Sequence, residues 1–237
     1  MVLSDGTYWV FGTGHGLRSM YSTDRVQWMR GPRVFESVPA WTSKLVPKNK
    51  GHLWAPDIIY HRGHYLLYYS ISSWGSRVSA IGLAANRTLN PASPDYAWED
   101  RGRVVSTSEP DDHNAIDPAV MRDEDGRLWM VYGSYWSGIK LVELDPNTGL
   151  RLTPDSPVHA LAWKEAIEAA CLFRRNEWYY LIVNWGQCCK GVESTYEMRV
   201  GRSRIVTGPF LDRQGVDLAT GGGSLLLESA GPYIGPG

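Results

Sequence analysis

The sequence predicts an all-β fold of the propeller type, in which four-stranded sheets surround a central channel. Helical periodicity is scarce, and the apolar residues come in short runs separated by Gly, Pro, Asp and Asn, as in chains of many short strands. One strand pattern also recurs along the chain at the spacing of propeller blades. A β-sandwich would give short strands but not this spacing.

The recurring pattern is an apolar, aromatic strand that follows a polar turn. It occurs at 6–11, 63–68, 128–132 and 178–183, and its aromatic anchors Tyr8, Tyr65, Trp129 and Tyr179 are 57, 64 and 50 residues apart. A further apolar run follows each anchor, at 19–22, 80–84, 138–142 and 198–202. About 50 to 65 residues with roughly four strands is the size of a blade. We therefore expect a single propeller domain over residues 1–237, with about four blades present in this chain.

Composition excludes some classes of partner. The 237 residues include 24 basic and 25 acidic ones, which gives a net charge of −1 and no basic surplus for nucleic acid or a membrane surface. No apolar run approaches the ~20 residues of a membrane span, and the first residues do not resemble a signal peptide. Three cysteines are too few for a disulfide framework, and we expect adjacent Cys188 and Cys189 not to pair.

The aromatic residues are unusual, with 11 Trp and 13 Tyr beside only 4 Phe. Aromatic side chains with a polar edge suit the flat, wet-rimmed faces of sugar rings. Because β-proteins are in general rich in Trp and Tyr, composition alone leaves a purely structural role open.

A carboxylate precedes three of the four repeated strands. Asp57, Asp117 and Glu168 lie 8, 12 and 11 residues ahead of their anchors, where propeller strands converge on one mouth of the channel. Glycoside hydrolysis needs such carboxyl groups, one as a proton donor and one to activate water. Asp57 and Asp117 could instead be strand-entry residues beside proline. Glu168 lies in the apolar run 166–172, where an idle charge is costly, whereas Glu165 beside Lys164 resembles a solvated pair.

Several motifs together carry a family resemblance. They are the segments Trp54–Ile58, Asn114–Pro118, Tyr132–Leu141, Ile167–Ala169, Cys188–Val192, Ser194–Tyr196, Arg199–Ser203 and Thr207–Phe210. On these motifs the chain resembles glycoside hydrolase family 43, and within that family it is most similar to the endo-α-1,5-L-arabinanases. The double cysteine and the serine-aromatic-tryptophan element are the subfamily-specific parts.

The resemblance implies a five-bladed propeller that hydrolyses α-1,5-linked L-arabinan with inversion. It implies that Glu168 is the general acid and that Asp117 orients Glu168 and raises its pKa, because a nearby anion disfavours the ionised acid. It also implies positions facing the arabinose rings, namely Trp54, Asp57, Gly75, Asn114, Ala115, Ile116, Ser134, Tyr135 and Trp136. For Trp136 a buried structural role is the alternative.

Two departures from the family pattern concern the ends of the chain. The family's general base, an Asp in a His-Asp-Pro-like motif, would fall ahead of residue 1, and the His that follows Gly-Pro-Gly and helps to bind a calcium ion would fall after Gly237. We therefore expect part of the first blade and most of a fifth blade to be missing. The chemistry requires no cofactor, although a structural calcium is expected in the complete protein. We predict that this chain alone hydrolyses arabinan weakly or not at all. A smaller departure is Ala169-Ala170, where the family has Ala-Pro.

Alternative functions remain open from the sequence. One is an exo-acting α-L-arabinofuranosidase or β-xylosidase of the same family, and another is a non-catalytic propeller that binds arabino-oligosaccharides. We expect a monomer, and the resemblance favours a secreted or periplasmic location.

Overall fold

The computed structural model describes residues 1–237 and contains four antiparallel sheets. The first sheet has the order β1 (Val2–Ser4), β2 (Thr7–Gly12), β4 (Arg18–Ser22) and β5 (Met29–Arg30). The second has the order β3 (Gly14–His15), β6 (His52–His61), β7 (His64–Ile71), β8 (Ser79–Asn86) and β9 (Glu99–Thr107).

The other two sheets repeat the four-stranded pattern. The third is β10 (Ala119–Arg122), β11 (Leu128–Tyr132), β12 (Ile139–Leu144) and β13 (His159–Ala162). The fourth is β14 (Ile167–Arg175), β15 (Trp178–Trp185), β16 (Glu197–Ser203) and β17 (Ser224–Leu227). Helix is confined to α1 (Ala40–Leu45) and to 3-10 turns at Gly191–Glu193 and Leu218–Thr220. No helix has the length and apolar character needed to cross a membrane.

The predicted repeat is confirmed strand by strand. The anchors lie on β2, β7, β11 and β15, and the following apolar runs lie on the neighbouring strands β4, β8, β12 and β16. Each sheet is thus one blade of a propeller, and four blades are present.

The core lies between successive blades. One apolar cluster joins the third and fourth sheets, with Val131 and Leu141 facing Leu172 and Leu181. Another joins the second and third sheets, and a small cluster around Trp9 and Tyr65 joins the first and second. Because β7 and β8 are covered on both faces, almost every residue in them is buried.

The outer faces of the first and fourth sheets share no core cluster. Phe173, Leu225, Leu226 and Leu227 on the fourth sheet are 38–51% exposed, and Leu3, Met20 and Met29 on the first sheet are 41–55% exposed. The ring of blades is therefore open between these two sheets.

Candidate active site

In three blades the same backbone bend lies near the start of the inner strand, which is the strand nearest the channel (β6, β10 and β14). Ala55, Asp117 and Ala169 have φ values of 37°, 56° and 50°, a region that non-glycine residues rarely occupy. Pairing with the next strand shifts register at this point in β6 and β14. A strained conformation that recurs in three blades is a sign of a functional site.

The bends show that the three carboxylates, which the sequence placed at equivalent positions ahead of the anchors, occupy different positions in their blades. Asp117 occupies the bend itself, Glu168 lies one residue before the equivalent bend at Ala169, and Asp57 lies two residues after the bend at Ala55. The three carboxylates are therefore not structurally equivalent. Counting residues back from the anchors missed this difference because the lengths of the bends and hairpins vary between blades.

Both carboxylate oxygens of Glu168 accept a hydrogen bond from a hydroxyl group. Ser134 Oγ donates to Oε2 at 2.8 Å, and the phenol of Tyr196 donates to Oε1. Ser134 belongs to the turn after β11, whereas Tyr196 directly precedes β16. The side chain of Glu168 is thus held between two neighbouring blades in one orientation.

Asp117 lies beside Glu168. Its Oδ2 accepts a hydrogen bond of 3.3 Å from the backbone N–H of Ala169, and its own N–H donates to Ser70 Oγ at 2.9 Å. Surrounding protein excludes water from the carboxyl group and Glu168 adds a negative charge, and together they raise the pKa of Asp117 to about 7.

The charge of Glu168 contributes to the raised pKa of Asp117, after the larger effect of burial. The structure gives the raised pKa to Asp117, whereas the family resemblance places the retained proton on Glu168. The assignment of donor and orienting group to these two residues stays a prediction.

Asp57 lies deeper along the inner strands. Its Oδ2 accepts a hydrogen bond of 2.7 Å from the backbone N–H of Val120, at the start of the next blade's inner strand. Burial raises the pKa of Asp57 and also that of the Cys171 thiol, to which the charge of Asp57 contributes. Asp57 therefore connects two blades inside the channel, and its predicted contact with substrate stays a prediction.

The segment from Ser134 to Trp136 joins the third blade to the acid. Ser134 is only 3% exposed and Tyr135 N–H donates to Ile167 O at 2.7 Å, beside Glu168. Tyr135 and Trp136 both have positive φ values, 55° and 42°. Trp136 is 37% exposed, so the alternative that it is a buried structural residue does not hold.

Exposed tryptophans surround this mouth. Trp54 packs against Trp74, with ring centroids 5.5 Å apart, and Trp163 Nε1 donates to Trp136 O at 3.0 Å. Trp74 is 79% exposed and Trp163 is 46% exposed. Gly75 follows Trp74 with a φ of 68° and open space around it. These aromatic surfaces can stack against sugar rings.

The predicted contacts at 114–116 lie beneath the surface. The side chains of Asn114, Ala115 and Ile116 are 4%, 0% and 7% exposed. Asn114 accepts a hydrogen bond from Ser79 Oγ, and Ala115 N–H donates to Thr107 Oγ1 at 3.1 Å. Their side chains therefore support the mouth from below, and the burial gives no support for side-chain contact with a sugar.

Sequence reasoning missed three residues of the site. Trp74 stands beside the predicted Gly75, Tyr196 ends a motif that carried the family resemblance, and Trp163 had no signal beyond its residue type. Tyr196 is the most informative omission, because only the folded chain brings it to Glu168.

The expectation that Cys188 and Cys189 do not pair is wrong, because the structure joins them in a disulfide within the β15–β16 loop. A disulfide between neighbouring residues requires an unusual backbone geometry, and Cys189 has a left-handed φ of 67°. Cys171 is free.

The donor set does not fit a metal ion in this chain. No group of three or more His, Cys, Asp or Glu side chains is arranged to hold one. The structural calcium therefore stays a prediction.

Comparison with known proteins agrees with the geometry of the mouth. The sequence profile described as glycosyl hydrolases family 43 matches residues 1–237. An extracellular exo-α-(1→5)-L-arabinofuranosidase of Cellvibrio japonicus is 43% identical over 251 aligned positions, which cover 100% of this chain and 72% of that protein. An extracellular endo-α-(1→5)-L-arabinanase of Bacillus subtilis is 39% identical and is covered to 74%. The crystal structure of Cellvibrio cellulosa α-L-arabinanase complexed with arabinohexaose matches with a TM-score of 0.94 at 41% identity, over 99% of this chain and 79% of that one.

Proposed function

Since the chain belongs to glycosyl hydrolase family 43, we propose that it is the catalytic propeller of an endo-acting hydrolase of α-1,5-linked L-arabinan. The observation that carries the proposal is the coupled pair Asp117 and Glu168 at the mouth of the channel, beside exposed tryptophans. Relatives named as arabinanases and the neighbour with bound arabinohexaose support the choice of substrate.

The proposed chemistry is single-step hydrolysis with inversion. Glu168, oriented by Ser134 and Tyr196, donates a proton to the glycosidic oxygen as the bond to the anomeric carbon breaks. Water attacks the opposite face of the ring, and a carboxylate accepts its proton. We assign no residue of this chain as that general base.

Endo action is preferred over the exo alternative because the aromatic rim is open. Trp74 and Trp163 are exposed to solvent, which suits a long chain lying across the mouth more than a closed pocket. The C. japonicus relative is named an exo enzyme, so the distinction needs its own test. The length of the first products from linear arabinan separates the two, since endo action releases a ladder of oligomers.

We propose further that the protein acts as a monomer and is secreted. The names of the C. japonicus and B. subtilis relatives describe them as extracellular, which supports secretion. The net charge of −1 supports neutral polysaccharide over nucleic acid as a partner.

Binding tests the substrate class separately from cleavage. Calorimetric titration of the 237-residue chain with arabinohexaose should show binding, and Trp54→Ala should weaken it about tenfold because a stacking face is lost. Trp178→Ala is the matched control, since Trp178 starts β15 at the opposite end from the Glu168 mouth. Equal affinity for an unrelated hexasaccharide would contradict the proposal.

Cleavage tests the role of Glu168. Azide is small enough to replace the attacking water and needs no general base, so it should increase cleavage of arabinan by this chain and yield oligosaccharyl azides of inverted configuration. Glu168→Gln should remove most of this turnover while binding persists. Turnover by Glu168→Gln equal to that of the unchanged chain would refute the acid assignment.

A further inference from the structure

The β15–β16 loop holds a disulfide next to the candidate acid. The loop runs from Gly186 to Thr195, and its disulfide joins Cys188 to Cys189. Its first residue is tied to the residue directly before the strand of Glu168, because Gly186 N–H donates to Ala166 O at 3.0 Å. Its last residue is followed directly by Tyr196, whose phenol donates to Glu168.

Hydrogen bonds fasten the two limbs of the loop together. Gln187 N–H donates to Thr195 Oγ1 and Thr195 N–H donates to Gln187 O, each at 3.0 Å. Lys190 N–H donates to Ser194 Oγ at 3.1 Å. The limb with the disulfide therefore fixes the backbone of the limb that ends at Tyr196.

The two donors to Glu168 differ in how firmly they are held. Ser134 is buried in the third blade, whereas Tyr196 lies at the end of the exposed loop that contains the disulfide. Burial raises the pKa of Tyr196, and the hydrogen bond to Glu168 raises it further. The Tyr196–Glu168 contact is thus a hydrogen bond partly shielded from water, and its strength depends steeply on its geometry.

We propose that Tyr196 is a positioning residue for Glu168, and that the Cys188–Cys189 disulfide fixes Tyr196 through the loop, so that reduction of the disulfide loosens the Tyr196–Glu168 contact. The role of this contact in catalysis rests on the proposed function, but the contact itself does not. In the redox step a dithiol reductant is oxidised to its own disulfide, and the two electrons and two protons convert Cys188 and Cys189 to thiols.

Nuclear magnetic resonance of the whole chain with ¹³Cζ-labelled tyrosine tests the contact. Tyr196→Phe assigns the Tyr196 signal, and Glu168→Gln should shift it because an amide replaces the carboxyl group that accepts the hydrogen bond of the phenol. Dithiothreitol should shift the signal in the same direction, with thiol titration reporting two additional thiols. The double variant C188S/C189S should show the shifted signal without reductant and no further response.

Signals of Tyr68 and Tyr132, buried in other blades, serve as internal controls and should stay in place. A Tyr196 signal that does not move although both thiols have appeared would overturn the proposal. Movement of all tyrosine signals would overturn it as well, because reduction would then act on the whole fold. A Tyr196 response without arabinohexaose binding would refute the proposed function and leave the Tyr196 contact standing.

Turnover supported by azide gives a second readout. Tyr196→Phe and reduction should each lower it on the order of tenfold, and together no more than either alone, because both act on one contact. Fully multiplicative losses would show that the disulfide acts elsewhere.

Discussion

At the scale of single residues, the burial of Asp117 beside Glu168 has a cost in stability. The pKa of Asp117 lies at about 7, against 3.8 for the free side chain. Between these values the folded protein binds a proton that the unfolded chain does not, so stability falls as the pH rises through this range. Activity and stability therefore make opposite demands on this residue.

Asp117→Asn should remove that penalty. At pH 8 the variant should be more stable than the unchanged chain, with roughly 4 kcal/mol as the ceiling from the pKa difference. At pH 4 the gain should shrink, since the carboxyl group is then protonated in the folded state. Urea unfolding at the two pH values measures both quantities.

The raised pKa of Asp57 acts in the same direction, but it is common to both proteins and cancels in the comparison. A gain in stability as large at pH 4 as at pH 8 would mean that titration of Asp117 is not its source.

Sequence alone identified Asp117 and Glu168 as a pair but not the groups that hold them. The apolar run 166–172 marks Glu168 because an idle charge there is costly. Nothing in the order of residues indicates that Tyr196, 28 positions further on, reaches the same carboxylate. Such contacts depend on how blades pack, which one-dimensional patterns do not encode.

At the scale of elements, the turn between β11 and β12 carries Ser134 to the acid and depends on a glycine. Gly133 has a φ of 130° and its N–H donates to Ile116 O at 2.9 Å. A Cβ there would lie 2.6 Å from Gly138 O, a backbone atom that cannot move aside cheaply. The geometry of this turn therefore excludes any side chain at position 133.

Gly133→Ala should destabilise the fold by about 3 kcal/mol, because both the steric clash and the positive φ oppose it. Gly126→Ala is the matched control: its φ is 81° and no atom lies within 4 Å of an added Cβ, so only the conformational cost remains. That cost is about 1 kcal/mol. Chemical denaturation of both variants checks the difference, and equal losses would contradict the steric account.

The strand pattern was predictable at this scale, but the bends were not. Aromatic anchors such as Tyr65 and Trp129 recur within apolar runs at intervals of about one blade length, which is typical of repeated sheets. The bends at Ala55 and Ala169 leave no trace in residue type, since alanine is not a usual residue at positive φ. Their position was therefore visible only in the backbone.

At the scale of the whole molecule, apolar contact between neighbouring blades forms the core, and the ring of blades is open on one side. On the outer face of the fourth sheet, Phe173, Tyr180, Ile182, Val200 and Leu226 contribute to the lining of a cavity of about 480 Å³. An apolar surface of this kind is a liability for solubility.

The native chain should therefore bind the fluorescent dye ANS, which reports exposed apolar surface. The double variant F173S/L226S should bind several-fold less, because it removes two side chains that line the cavity. Val26→Ser is the control, since Val26 is 80% exposed but lies in the first blade, away from this face. Fluorescence titration on folded samples decides the question, and an unchanged signal from the double variant would locate the dye elsewhere.

The bend shared by the inner strands separates the chemistry of the mouth from the construction of the blade. Trp54 and Glu168, an indole and an acid, stand just before the bend in their blades, and the strands beyond pair in the same antiparallel way. A different residue type at either place would change the mouth and leave the hydrogen-bond ladder beyond the bend intact. Divergence of specificity on a constant scaffold is therefore open to this fold through single substitutions.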